Sequence, residues 1–117
     1  MGSRASTKRL SRDERLDRVF GALADPTRRA LLKRLGKGPR AVSDLAEPFA
    51  MSLPAVSKHL RVLEIAGLVT RSVEGRVHNC KLEVDALREA ERWLEHHRSF
   101  WAQSLESLAR YAEEDEG

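Results

Sequence analysis

Cysteine is almost missing from this chain. Cys80 is the only one among 117 residues, so an internal disulfide and any zinc site built from several thiolates are excluded. Long apolar runs are missing too. No stretch approaches the roughly 18 apolar residues that a membrane span requires, and no secretory apolar core follows the start. The expected location is therefore the cytoplasm. The start, Met1-Gly2 with Ser6, fits the short myristoylation pattern, but a cloning scar reads the same way and the match is discounted. Catalytic vocabulary is absent as well. The histidines, at 59, 78, 96 and 97, have no recognisable Ser or Cys nucleophile as partner. There is no glycine-rich phosphate loop and no carboxylate pair in a marked motif, so an enzyme is not expected.

What is present is charge, unevenly placed. Residues 1–40 hold twelve Lys/Arg against four Asp/Glu, whereas residues 83–117 hold four against ten. A basic front and an acidic back suit a polyanion-binding face with the tail held away from it. The alternative is ordinary solvated helix faces. The length suits one domain with one modest core.

The pattern along the chain is mainly helical. Residues 1–10 are polar, basic and aperiodic, which predicts a disordered arm. Ser11-Arg12-Asp13-Glu14 is a capping box, and Leu16, Val19, Phe20 and Leu23 follow on one helix face. Asp25-Pro26 restarts a helix that buries Leu31, Leu32 and Leu35 and stops at Gly36. A short helix is expected over Ser43–Glu47, then a turn at Met51-Ser52 and a helix over 53–65 that Gly67 ends. Two short helices with a tight turn form a helix-turn-helix. Leu68–Val73 and Val77–Leu82 read as a hairpin turning at Glu74-Gly75-Arg76. From Asp85, an expected N-cap, a helix runs to about Ala112, leaving 113–117 as a frayed acidic tail. The folded domain is thus expected over 11–112.

The helix over 53–65 has two unlike sides. On a wheel at 100° per residue, Val56, Leu60 and Leu63 cluster toward the core. Pro54, Ser57, Lys58 and Arg61 lie roughly opposite, between about 100° and 200° from Val56, and His59 sits at the border. Small residues let a helix backbone approach a DNA groove. Serine can donate to or accept from a base, and Lys or Arg can reach guanine or a phosphate. The helix N-terminus also favours phosphate. The same stripe could be a plain amphipathic surface. The preceding short helix, the following hairpin and the basic front favour DNA. Arg28, Arg29, Lys33, Lys37 and Arg40 are further phosphate-contact candidates by charge alone.

The last helix carries Leu87, Leu94, Trp101 and Leu108 at intervals of seven. Ala90, His97 and Ser104 lie along the same side, Leu105 beside them, and Trp93 and Phe100 form a second stripe. One small domain cannot easily cover this surface. Pairing with the same helix of a second copy would, with Leu16 and Phe20 of helix 12–23 joining the interface. The alternative is packing within one chain.

Certain words resemble the ArsR-type (arsenic-repressor) regulators. They are "FGALADPTRRALLKRL" at 20–35, "SDLAEPFAMSLPAVSKHLRVLEIAGLV" at 43–69, "EGRVHNCKL" at 74–82 and "WLEHHRSFWAQSLESLARY" at 93–111. The last piece is similar to the tail of a non-metal branch. The resemblance implies a winged helix-turn-helix: mainly α with a small β-hairpin, dimerising through terminal helices. It implies a homodimeric repressor that puts helix 53–65 in the major groove of a palindromic operator and wing 68–82 on the flanking minor groove. By position it makes Ser52, Leu53, Pro54, Ala55, Ser57, Lys58, His59 and Arg61 DNA contacts. Arg76, with Arg71 and His78 behind it, becomes the wing contact. Many relatives carry glutamine where Leu53 stands. Leucine cannot read adenine bidentately as glutamine can, though it could touch a thymine methyl. Lying about 60° from Val56 on the wheel, Leu53 is expected to pack against the core.

Metal-sensing members carry Cys-Val-Cys-Asp-Leu before the recognition helix. Here Ala41-Val42-Ser43-Asp44-Leu45 has neither thiol, and that site is absent. Other members bind ions on the last helix through Asp, His and Glu. This chain offers Glu95, His96, His97 and Glu106, but adjacent histidines diverge by about 100° and rarely share an ion. No metal or cofactor is expected. Cys80 and His78 alternate on one strand face, and a structural cysteine is the commoner explanation than a redox switch. Two rivals to a plain repressor stand. One is a sensor of the same fold, gated by a small molecule, thiol reagent or metal at the last helix or Cys80, with Trp93, Phe100 and Trp101 as a pocket lining. The other is a protein-interaction module without a DNA role.

Overall fold

The computed structural model describes the backbone from Leu10 to Glu116 and side chains as far as Glu114. The expected basic arm, residues 1–10, lies outside the described residues except for Leu10. Five helices and a small sheet follow in the order α1 (Arg12–Leu23), α2 (Pro26–Leu35), β1 (Arg40–Ala41), α3 (Val42–Ala46), α4 (Leu53–Ile65), β2 (Val69–Glu74), β3 (Val77–Leu82) and α5 (Val84–Glu116).

The helix starts are made by the residues that predict them. Ser11 Oγ accepts the Glu14 N–H at 3.1 Å. The return half of the capping box differs, because Glu14 accepts from the Ser11 hydroxyl rather than from a backbone N–H. Asp25 accepts the Arg28 N–H at 3.1 Å, with Pro26 in the first turn of α2. Ser52 accepts the Ala55 N–H, and Pro54 lies in the first turn of α4. The stop of α4 is a Schellman motif. Gly67, at φ 78°, donates to Glu64 O at 2.9 Å, and Leu68 donates to Leu63 O at 2.9 Å. Leu68 is therefore the apolar residue closing the helix, packed where Leu63 is also fully buried. The strand begins one residue later than the β-rich run suggests.

The sheet has three strands in the order β1-β3-β2, all antiparallel. The first is an addition to the expected hairpin: Arg40 pairs with Cys80 and Ala41 with Asn79. Two residues between a loop and a helix carry no readable periodicity, so the sequence does not announce this strand. Glu74 pairs with Val77, leaving Gly75-Arg76 as a two-residue turn. Gly75 supplies the positive φ of 62° that such a turn requires at its first position.

One core unites these elements. Leu16, Val19, Leu31, Leu35, Leu45, Val56, Leu60, Leu63, Leu68 and Cys80 are all buried in it. Burying Val56, Leu60 and Leu63 removes roughly 2 kcal/mol worth of apolar surface from water for each residue, which holds α4 by one face. α5 leaves this core after its first turns. Its 33 residues span about 50 Å, and its second half projects from the domain.

Two boundaries of α5 differ from expectation. The helix starts at Val84, so Asp85 lies in the first turn instead of capping it. There its charge still complements the helix N-terminus. The helix also continues to Glu116 in place of a frayed tail from 113. Glutamate is a good helix former, and no glycine or proline interrupts the run. No helix of the described residues is long and apolar enough to cross a membrane.

Candidate nucleic-acid interface

Anchoring α4 through Val56, Leu60 and Leu63 turns the opposite side outward. Pro54, Lys58 and Arg61 are exposed there and Ser57 is half-exposed. Together with Glu64 and Arg71 they border an open surface groove of about 510 Å3. A second groove of about 410 Å3 runs between the first turn of α4 and the hairpin, bordered by Leu53, Pro54, Ser57, Arg71, Arg76 and His78. Side chains named from helix and hairpin therefore converge on one continuous face. Ser52 and Leu53 stand exposed at its end, and Ala55 is half-buried beside them. Arg76 is exposed at the hairpin tip. Arg61 is not wholly free: its Nη1 lies 3.8 Å from Glu64 Oε2, a long, solvent-screened contact of little strength.

Four residues are placed differently from expectation. Leu53 does not pack into the core but is 53% exposed. It borders the groove between the first turn of α4 and the hairpin instead. His59 turns away from the open face toward α2. Its Nδ1 lies 3.3 Å from Arg28 Nη1 and 3.9 Å from Asp25 Oδ1. A guanidinium only donates, so Nδ1 is the acceptor in this contact. The contact to Asp25 is too long for a hydrogen bond, and the Arg28 contact is the one that orients the ring. Arg71 is half-buried, its Nε 3.3 Å from Glu64 Oε1. Nε makes no well-aligned hydrogen bond, so this is an ion pair rather than a directed bond. Arg71 thus ties the hairpin to α4 before it offers anything outward. Leu16, expected at a dimer interface, is 5% exposed and belongs to the chain's own core.

The basic front is also partly committed. Arg28 Nε donates to Ala22 O at 2.7 Å and Nη2 to Gly21 O at 3.2 Å. Arg29 Nη1 donates to Leu23 O at 2.7 Å. These two arginines satisfy the open carbonyls at the end of α1, whereas Lys33 and Lys37 stay exposed. The Arg28 N–H donated to Asp25 holds that carboxyl below the usual carboxylate range, and burial opposes the effect. No sequence pattern announces Arg28 and Arg29 as caps, because the carbonyls they reach belong to the preceding helix.

Cys80 and His78 share the sheet face turned toward the helices, with unlike surroundings. His78 borders the open groove, and Cys80 is fully buried. Burial pushes the Cys80 thiol up from its ordinary pKa, against a smaller opposing effect of Arg71. The thiol is therefore neutral and out of reach of solvent. Among the described residues no three His, Cys, Asp or Glu side chains gather as an ion would require.

Along α5 the expected stripe splits. Leu87 packs onto the core, and Trp93 packs edge-on against Phe20 with ring centroids 5.8 Å apart. His97 stacks on Trp93 at 4.4 Å and bonds Trp93 O through Nδ1 at 2.8 Å. Leu94, Phe100, Trp101, Leu105 and Leu108 stand exposed beyond them. Trp93 thus packs inward on Phe20, whereas Phe100 and Trp101 stand exposed.

A helix-turn-helix domain family matches residues 23–72, which run from the end of α1 through α4 into β2. The HTH-type transcriptional regulator Rv2034 of Mycobacterium tuberculosis is 40% identical over 94 residues, covering 80% of this chain and 85% of that protein. The transcriptional repressor SdpR of Bacillus subtilis is 33% identical over 79 residues, covering 68% and 88%. An ArsR family transcriptional regulator of known crystal structure superposes with a TM-score of 0.73 at 44% identity, covering 77% of this chain and 93% of its own. This chain belongs to the ArsR family of transcriptional regulators. A homodimeric winged helix-turn-helix DNA-binding domain of Mycobacterium bovis also superposes, with a TM-score of 0.58 at 26% identity over 92% of each chain. This ArsR regulator thus carries a winged helix-turn-helix, with α3 and α4 as its helix-turn-helix and β2–β3 as its wing. Its role is DNA-binding regulation of transcription, not catalysis.

Proposed function

We propose that this ArsR regulator is a homodimeric repressor acting in the cytoplasm on a palindromic operator. The observation that carries the reading is the open face of α4. Lys58 and Arg61 project from it while Val56, Leu60 and Leu63 are wholly buried behind it. In this reading Pro54, Ser57, Lys58 and Arg61 enter the major groove. Ser52 and the Leu53 N–H at the start of α4 meet a phosphate. Arg76 at the wing tip reaches the flanking minor groove, where narrow A·T-rich stretches attract arginine.

The exposed stripe on α5 supports pairing of two copies. Leu105 and Leu108 are 67% and 65% exposed, and Leu94 and Trp101 continue the same seam. Its solved relative from M. bovis is a homodimer. A two-fold dimer would set two copies of α4 in successive major grooves, about 34 Å apart.

The test is selection of bound fragments from genomic DNA with the purified full chain, followed by footprinting. The expected result is a protected inverted repeat, with half-sites one helical turn or a whole multiple apart and affinity falling steeply as salt rises. Uniform binding without any selected sequence would overturn the reading.

A further inference from the structure

Leu53 occupies an unusual position for its chemistry. It is the first residue of α4, more than half exposed, at the border of the groove between recognition helix and wing. The helix does not need it for anchoring, because Val56, Leu60 and Leu63 are fully buried without its help. It follows Ser52, whose hydroxyl caps the helix, and precedes Pro54, which has no N–H to offer. The exposed leucines of α5 lie on the stripe that a second copy would cover, whereas Leu53 stands on the DNA-facing side. Ile65, also exposed, stands at the far end of α4, about 18 Å along the axis. Recognition helices read bases mainly through their N-terminal residues, which is where Leu53 stands.

A leucine cannot donate or accept a hydrogen bond. On a base-pair edge in the major groove, the one apolar group is the C5 methyl of thymine. We propose that Leu53 is a specificity-determining residue that reads the methyl of one thymine in each half-site. This deepens the DNA-binding reading and rests on it. Leu53 sets which base is preferred, while Lys58 and Arg61 supply attraction that any sequence shares in part. The ligand chemistry is a 5-methylpyrimidine, so 5-methylcytosine at that position would present the same group.

The test uses the full chain and the operator that it selects. Each thymine is replaced in turn by deoxyuridine, which deletes only the methyl. One position per half-site is expected to lose roughly fourfold in affinity, and about fifteenfold when both half-sites are changed. Leu53→Ala should bind the unmodified operator several-fold more weakly, melt as the native protein does, and no longer distinguish thymine from deoxyuridine there. A native protein indifferent to every deoxyuridine, or a Leu53→Ala variant that keeps the full difference, overturns the proposal while leaving operator binding intact. Failure to recover any selected operator overturns both this proposal and the DNA-binding reading.

Discussion

Arg71 of the wing and Glu64 of the recognition helix form an ion pair at 3.3 Å, each side chain 18% exposed. This pair joins the two elements proposed to meet DNA together. Because water is largely excluded, removing one partner leaves the other charge poorly solvated, at a cost of about 1–2 kcal/mol. Glu64→Gln and Arg71→Gln should each lower the urea midpoint. Their double-mutant cycle should show a coupling of about 1 kcal/mol. Strict additivity would mean that the pair holds nothing.

Ser52 has two separable roles. Its hydroxyl caps α4, so Ser52→Ala should cost about 1 kcal/mol in thermal or urea unfolding. Ser52→Asp keeps a capping oxygen and should restore stability. It also places a carboxylate where a phosphate is expected, so operator affinity should fall by more than about tenfold despite the restored fold. Normal binding by Ser52→Asp would remove the N-terminus of α4 from the interface.

Cys80 should behave as a core residue. In the native protein its thiol should resist maleimides and disulfide reagents near neutral pH and react at once in urea. Burial raises its pKa in the folded state. Its contribution is fully present below the unfolded thiol's pKa and is lost as pH rises through the raised folded value. Native protein should therefore lose stability relative to Cys80→Ala in that alkaline window and nowhere below it. Rapid labelling of the folded protein would reopen a sensing role for this residue.

The boundaries of α4 were legible because each has a local cause: the Ser52 cap, Pro54 in the first turn and Gly67 at positive φ. The buried and open sides of that helix were legible because periodicity reports direction. Periodicity does not report what stands opposite. Leu53 lies only about 60° from Val56 on the wheel yet borders the open groove, and Leu16 belongs to a stripe that meets its own domain. The contacts of Arg71 with Glu64 and of Arg28 with His59 join residues from different elements. Charge lends Arg28 to DNA and the family resemblance lends Arg71, whereas geometry first commits both to the protein.

The α5 stripe should govern assembly. Leu105→Glu with Leu108→Glu adds charges to a seam exposed in the single chain, so the domain should stay folded and lose only the stability that pairing adds. Analytical ultracentrifugation should show monomers, and operator affinity should drop by more than about tenfold as the second half-site is lost. A dimer that survives both changes would place the interface elsewhere.

Lys58→Ala combined with Arg61→Ala tests the outward face of α4 most directly. Both side chains are exposed and neither supports the core, so the variant should fold and assemble as the native protein does. In a gel-shift titration on the selected operator it should show no specific complex at concentrations that saturate the native chain. A variant that binds the operator undiminished would contradict the placement of α4 in the major groove.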